Sequence, residues 1–272
     1  MKSRMIALII AGTFLVIACS KVAFTGRRQA KMIPSSQINE MSFAEYDKFL
    51  KANKPMRSGS AVTRVRRIGD RLKKATEIYY RANGMGDQLS EFQWEFNVVD
   101  DPTVNAFCMP GGKVVVYTGI IDVAKDDDGL AVVMGHEIAH ALAHHGNERM
   151  TQQLGVQGAL MGISAFMGGS TDSTSRNTEM VLLAASGLAQ VGLQLPFSRK
   201  HESEADYIGL MLMGIAGYDV NKAPAFWSRM QAKGGSRGPE FISTHPSPEK
   251  RATNLREWAP EARQMGQKYP MK

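Results

Sequence analysis

A mainly helical α+β fold, with a small antiparallel sheet packed beside one central helix, is what this sequence predicts. Three observations carry that expectation. Most of the chain beyond residue 35 shows helical apolar spacing, three short β-rich runs cluster between residues 94 and 117, and one helix over about 127–145 is punctuated at both ends.

The elements follow in chain order. Lys2 and Arg4 precede an apolar run from Met5 to Ala18, shorter than the roughly 20 residues a membrane span requires. The run ends at Val16-Ile17-Ala18-Cys19, which matches a bacterial lipobox, although valine stands where leucine is usual. Residues 1–18 therefore read as a lipoprotein signal peptide and Cys19 as the acylated residue. Ser20 follows, rather than an aspartate, so outer-membrane anchoring is preferred over the inner membrane. Residues 19–35 read as an extended tether and 36–272 as a single domain, long enough for one sizeable core.

Within that domain, helices are expected over about 36–53 and 60–83, separated by Lys54-Pro55 and Gly59. Trp94–Val99, Asn105–Met109 and Lys113–Tyr117 read as strands, the last two joined by a Pro110-Gly111-Gly112 turn. Asp126, Asp127 and Asp128 supply an N-cap and an acidic first turn for the next helix, and Gly146 its stop. Residues 147–168 and 177–195 read as two further helices, glutamine-interrupted, that line the core or touch a membrane without spanning it. Helices near 199–216, 220–233 and 248–257 complete the chain, and no internal repeat is evident.

Composition narrows the partners. Acylation of Cys19 would leave Cys108 as the one thiol, so no intrachain disulfide is expected. The formal charge of +7 sits largely in helical runs such as Arg64-Val65-Arg66-Arg67 and Arg71-Leu72-Lys73-Lys74, which read as a solvated face. Attraction to anionic lipid headgroups fits that charge, whereas no nucleic-acid partner is expected of an exported chain.

The chemistry lies in the punctuated helix. His136-Glu137-Ile138-Ala139-His140 places two imidazoles one turn apart on one face, where both reach a single ion. The intervening glutamate can take a proton from water activated by that ion, the H-E-x-x-H arrangement of zinc peptidases. A third ligand is required. Ala143 and Gly146 exclude one known solution, which needs glycine and histidine there, and His144 lies about 12 Å from His136 along the helix axis. His144 and His145 read instead as groups facing the helix C-terminal dipole. Glu202 and Asp206 share a helix face at i, i+4, so one carboxylate can bind the metal while the other fixes a ligand histidine. His201 and Glu204 point to other faces of the same helix.

Taken together, these residues resemble the HtpX and CAAX-prenyl-protease type of gluzincin metallopeptidase, in its soluble periplasmic lipoprotein branch, which is BepA- and LoiP-like. The resemblance spans roughly residues 60–257. It includes His136-Glu137-x-x-His140, Glu202-x-x-x-Asp206, Asn105-Ala106-Phe107 before Pro110-Gly111-Gly112, His145-Gly146-x-Glu148-Arg149-Met150, and Thr244-His245-Pro246 with Arg251. It implies a zincin-like domain over 36–272 holding one zinc ion through His136, His140 and Glu202. Glu137 would be the base, Asp206 would support a ligand histidine, and Arg251 would orient the loop or a carboxylate. His245 is expected either to stabilise the oxyanion or to be a fourth ligand on a closing loop. The strand at Asn105, Ala106 and Phe107, or the one at Lys113–Tyr117, would pair with an extended substrate.

The expected function is thus a zinc endopeptidase acting on unfolded or misassembled envelope proteins. Its place would be the periplasmic face of the outer membrane, held by its N-terminal lipid near envelope assembly machinery. The alternative is a periplasmic chaperone or assembly factor whose zinc site is normally closed.

Overall fold

Residues 19–166, 197–233, 240–245 and 250–271 are described by the computed structural model of this 272-residue chain. They begin with strands β1 (Cys19–Lys21) and β2 (Arg28–Ala30), then helices α1 (Ser35–Ala52) and α2 (Ser60–Ala82). Strands β3 (Glu95–Val99), β4 (Ala106–Met109) and β5 (Lys113–Tyr117) follow, then α3 (Thr118–Ala124), α4 (Asp127–Leu142) and α5 (His145–Phe166). The C-terminal part contains α6 (Arg199–Ile215), α7 (Ala223–Ala232), the short α8 (Glu240–Thr244) and α9 (Arg251–Lys268). The leader and the helix expected over 177–195 lie outside the described residues, so neither is tested. No helix among the described residues is long and apolar enough to cross a membrane.

The mainly helical α+β class is as expected, and α4 is its centre. Every residue from Gly129 to Leu142 is buried, because α2, α6, α7 and β4 pack around it. Asp126 caps α4 by accepting from the Gly129 amide at 2.8 Å. Arg64 and Arg67 of α2 grip Asp127 at 2.8 and 2.6 Å, so part of the charge read as a solvated face instead tethers one helix to the next. The opposite face of α2 enters the core through Val65, Ile68, Leu72, Ala75 and Tyr79, at helical spacing.

The sheet departs from expectation. Its order is β3-β5-β4, with β5 antiparallel to β4 but parallel to β3, so it is mixed rather than antiparallel. Burial explains the arrangement: Val114, Val115 and Val116 of β5 are all fully enclosed, so that strand needs a neighbour on each side and takes the middle. The less covered β4, with Phe107 and Cys108 half-buried, is left at the edge. Gly111 and Gly112, at φ of 80° and 85°, make the turn that sends β4 into β5.

Two further expectations are corrected. Residues 19–35 do not form an extended tether: β1 and β2 pair as a hairpin docked on the domain, with Val22 buried and Phe24 stacked on Tyr79 at 3.8 Å. The motif helix also ends earlier than expected. It stops at Leu142, His144 adopts the left-handed conformation at φ 51°, and a new helix starts at His145 with Gly146 inside it. Histidine is among the few non-glycine residues that enter this region readily, so His144 rather than Gly146 makes the break.

Candidate metal centre

The site forms where α4 and α6 touch. Gly135 and Gly209 let the two backbones meet so closely that a Cβ on Gly209 would sit 2.9 Å from His136 N. That approach puts the carboxylates of α6 beside the imidazoles of α4. His136 Nε2 lies 3.3 Å from Glu202 Oε2, His140 Nε2 lies 3.3 Å from Glu202 Oε1, and the two Nε2 atoms are 3.1 Å apart. His245, at the end of α8, adds Nδ1 at 3.0 Å from Glu202 Oε1. One donor atom from each of His136, His140, Glu202 and His245 lies within 4.8 Å of the others, and all four residues are buried.

These donors suit one zinc ion. Two imidazoles and one carboxylate are a set used by catalytic zinc, which keeps a fourth position for water or substrate. His136 Nδ1 is 2.9 Å from Asp206 Oδ1, so its Nδ1–H points away from the centre and Nε2 is the nitrogen left to bind a metal. Arg251 donates to Asp206 Oδ2 at 2.6 Å and to Glu202 Oε2 at 2.8 Å, while its guanidinium lies 3.8 Å from the ring centroid of Trp227. Both carboxylates therefore have a fixed orientation before any ion arrives.

Electrostatics follows from enclosure. Burial disfavours charge on His136, but Glu202 and Asp206 outweigh it and lift its pKa to about 9. Burial instead wins at His140, whose pKa lies well below the usual range. Burial also raises the pKa of Glu137, moderated by the neighbouring His245 and His136. One Glu137 oxygen accepts the Cys108 amide at 3.3 Å, and the other, Oε1, is buried without a hydrogen-bond partner among the described residues, 3.6 Å from His245 Nε2.

Glu137, His140 and His245 border a cavity of about 320 Å³ whose other walls include Phe49 of α1, Phe107 of β4 and Met150 of α5. Asn105, Ala106 and Phe107, at the start of edge strand β4, also line it. The Lys113–Tyr117 strand, the other candidate for pairing with a chain, lies between β3 and β4 and has no open edge.

Several participants were missed from the sequence. His145 does not face a helix dipole; it is fully enclosed, with Nδ1 2.9 Å from His140 Nδ1 and Nε2 2.9 Å from Glu204 Oε2. His201 meets Glu148 at 3.1 Å, and Arg27 of the hairpin joins Glu148 to Glu204. Only the density of histidine and carboxylate in His145–Glu148 and His201–Glu204 hinted at this, since all these partners but His140 and His145 lie more than 50 residues apart.

Comparison with known proteins gives a consistent picture. Residues 68–259 match the description of peptidase family M48. The mitochondrial metalloendopeptidase OMA1 of Schizosaccharomyces pombe is 44% identical over 176 residues, covering 64% of this chain and 49% of that protein. The β-barrel assembly-enhancing protease of Escherichia coli is 30% identical over 179 residues, covering 63% of this chain and 36% of its own length. A putatively assigned counterpart in Vibrio cholerae is 33% identical over 168 residues, covering 60% and 34%. The chain thus spans half or less of the length of these relatives, and the mitochondrial one shares the higher identity.

Proposed function

The chain belongs to peptidase family M48, and from that premise we propose that it is a zinc endopeptidase cutting unfolded or misassembled envelope proteins. One observation carries the reading: Glu137 Oε1, which accepts no hydrogen bond among the described residues, lies beside the four-donor group and borders the edge-strand cavity. A buried carboxylate oxygen without a partner costs stability, and its retention is accounted for when it receives a proton during reaction.

When bound by His136, His140 and Glu202, zinc would supply a Lewis acid that lowers the pKa of water towards about 7. Glu137 Oε1 takes the proton from the attacking water and returns it to the leaving amine; burial raises its pKa, which strengthens it as a base. The Cys108 amide holds the other oxygen, so the carboxylate does not turn away. Edge strand β4 binds the substrate backbone by main-chain pairing, which tolerates varied sequences and suits unfolded chains.

His245 favours a second reading for the resting form. Its Nδ1 lies within the donor group, where a fourth protein ligand would fill the position that water needs. We therefore assign His245 to closing the site rather than to the oxyanion. A closed centre accommodates the chaperone or assembly-factor alternative, although the intact Glu137 favours the peptidase.

Anchoring through Cys19 at the periplasmic face of the outer membrane is part of the same proposal. It is supported by the leader pattern and by the similarity to β-barrel assembly-enhancing proteases, while the similarity to mitochondrial enzymes weighs the other way. Palmitate labelling of the wild type but not of Cys19→Ser would support it, and equal labelling would refute it.

The activity is tested by digestion of casein and of an unfolded outer-membrane protein, with and without chelator. Glu137→Gln is expected to lose about 10²–10⁴ in rate while keeping its zinc. Digestion unaffected by both the chelator and the substitution would refute the assignment. Digestion lost while cellular function persists would favour the chaperone.

A further inference from the structure

We propose that Arg27, in the N-terminal hairpin, is a positioning residue for the metal ligand His140, acting through Glu204 and His145. This rests on the zinc reading above and extends it to residues outside the ligand set.

The argument is one of donors and acceptors. Arg27 has donors only: Nε reaches Glu204 Oε2 at 2.7 Å, and Nη1 and Nη2 reach the two oxygens of Glu148 at 2.8 and 2.7 Å. Thr25, two residues earlier, donates to the other Glu204 oxygen. Glu204 is thereby fixed on two sides, and as a carboxylate it can only accept. The His145 nitrogen that meets it, Nε2, must carry the hydrogen. In a neutral imidazole Nδ1 is then the acceptor, and the atom it faces at 2.9 Å is His140 Nδ1. His140 must donate there, which leaves its Nε2 with the lone pair, directed at Glu202 and His136.

The other tautomer of His145 fails on geometry. It would set the His145 Nε2 lone pair against Glu204 Oε2 at 2.9 Å, and its Nδ1–H would make His140 accept at Nδ1 and carry its own hydrogen on Nε2, the nitrogen that faces the metal. Packing prevents the rings from turning to escape: His145 stacks on His201 with centroids 4.4 Å apart, and Phe197 lies over His140 at 4.1 Å. Both metal-facing histidines therefore have their outer nitrogen fixed, His136 by Asp206 and His140 by this longer route. The route begins in a segment 113 positions before its ligand, so the centre is complete only when the hairpin is docked.

Groups that orient a ligand histidine typically contribute 10–100-fold to metal affinity. Zinc affinity is read by competition with a chromophoric chelator on the purified full chain, for wild type, Arg27→Met, His145→Phe and the pair combined. His145→Phe keeps a stacked ring but removes the acceptor. Each single change is expected to weaken zinc by about 10–100-fold. The double variant should bind no more weakly than His145→Phe alone, because both interrupt one chain. Arg27→Lys, still able to hold Glu204, should regain part of the loss, and the visible spectrum of the cobalt-loaded protein should shift in Arg27→Met and move back in Arg27→Lys. Wild-type zinc affinity in Arg27→Met would overturn the relay even if its metal-free form melted early, and so would additive losses in the double variant. Should Arg27→Met not fold, Thr25→Val cuts at the same carboxylate and is expected to weaken zinc several-fold; an unchanged affinity there overturns the relay equally. A wild-type chain that holds no zinc would instead sink the underlying zinc assignment.

Discussion

Gly209→Ala tests whether the centre depends on contact between two helix backbones. Replacing glycine by alanine inside a helix normally stabilises by about 1 kcal/mol. At Gly209 the added methyl would stand 2.9 Å from the Gly135 carbonyl carbon, 2.9 Å from His136 N and 3.0 Å from Gly135 O. All three are backbone atoms of a helix enclosed on every side, so no side chain can turn aside. Recovering a carbon–carbon separation of about 3.5 Å requires α4 and α6 to part by roughly 0.6 Å. Overpacking of this kind costs about 1–3 kcal/mol, which offsets or exceeds the propensity gain. The same shift exceeds the ~0.5 Å within which a binding constellation must be held, so zinc affinity should fall at least tenfold. Urea unfolding of the metal-free chain and chelator competition read the two effects separately. Gly155→Ala in α5 is the control, since a Cβ there meets nothing within 4 Å among the described residues; it should gain stability and keep its zinc. Gly209→Ala with raised stability and unaltered zinc affinity would refute the reasoning.

Other consequences can be measured on the same protein. His245→Ala is expected to raise proteolysis by opening the fourth position, and a fall in rate at unchanged zinc content would return His245 to an oxyanion role. Arg251→Met takes the guanidinium away from two buried carboxylates that keep only His136 as a cation, and should cost about 3–5 kcal/mol in the metal-free form; a loss below about 1 kcal/mol in urea unfolding would contradict that. The metal-free chain should be most stable near neutrality, at about pH 7, where the proton-releasing His140, His144 and His145 balance His136. Burial holds the His145 pKa down to about 4, so the unfolded state binds the extra proton and stability falls as pH drops from about 6.5 towards 4. Burial opposes the charge of Glu148 and Glu204, but their hydrogen bonds hold both near 2, so stability falls further as pH drops below about 4.5. His136, raised to about 9, has the opposite sign: its contribution is complete below about 6.5 and lost as pH rises to 9. Unfolding free energies that climb steadily from pH 6 to 9 in chelator would show the His136 assignment to be wrong.

Much of the centre was legible because its signals are local. The i, i+4 spacing of His136 and His140, the aspartate cap at 126 and the shared face of Glu202 and Asp206 each occupy a few residues of one helix, where period and capping are fixed by backbone geometry. The valine run of β5 and the glycine turn before it were equally readable. What stayed hidden depends on what lies opposite in space. Whether β5 pairs on one side or both, whether His144 or Gly146 breaks the helix, and whether His145 ends in solvent or against Glu204 all depend on burial and on contacts between distant segments.

The sequence alone determined which side chains could bind a metal and which helix face would carry them, because helical period acts within two turns. Only the tertiary structure decided how those groups are held: Arg251 across Glu202 and Asp206, His245 inside the donor group, and Arg27 reaching Glu204 across 177 positions. Those partners are selected by shared burial, where a polar group left unpaired is costly, and that requirement has no imprint on neighbouring residues.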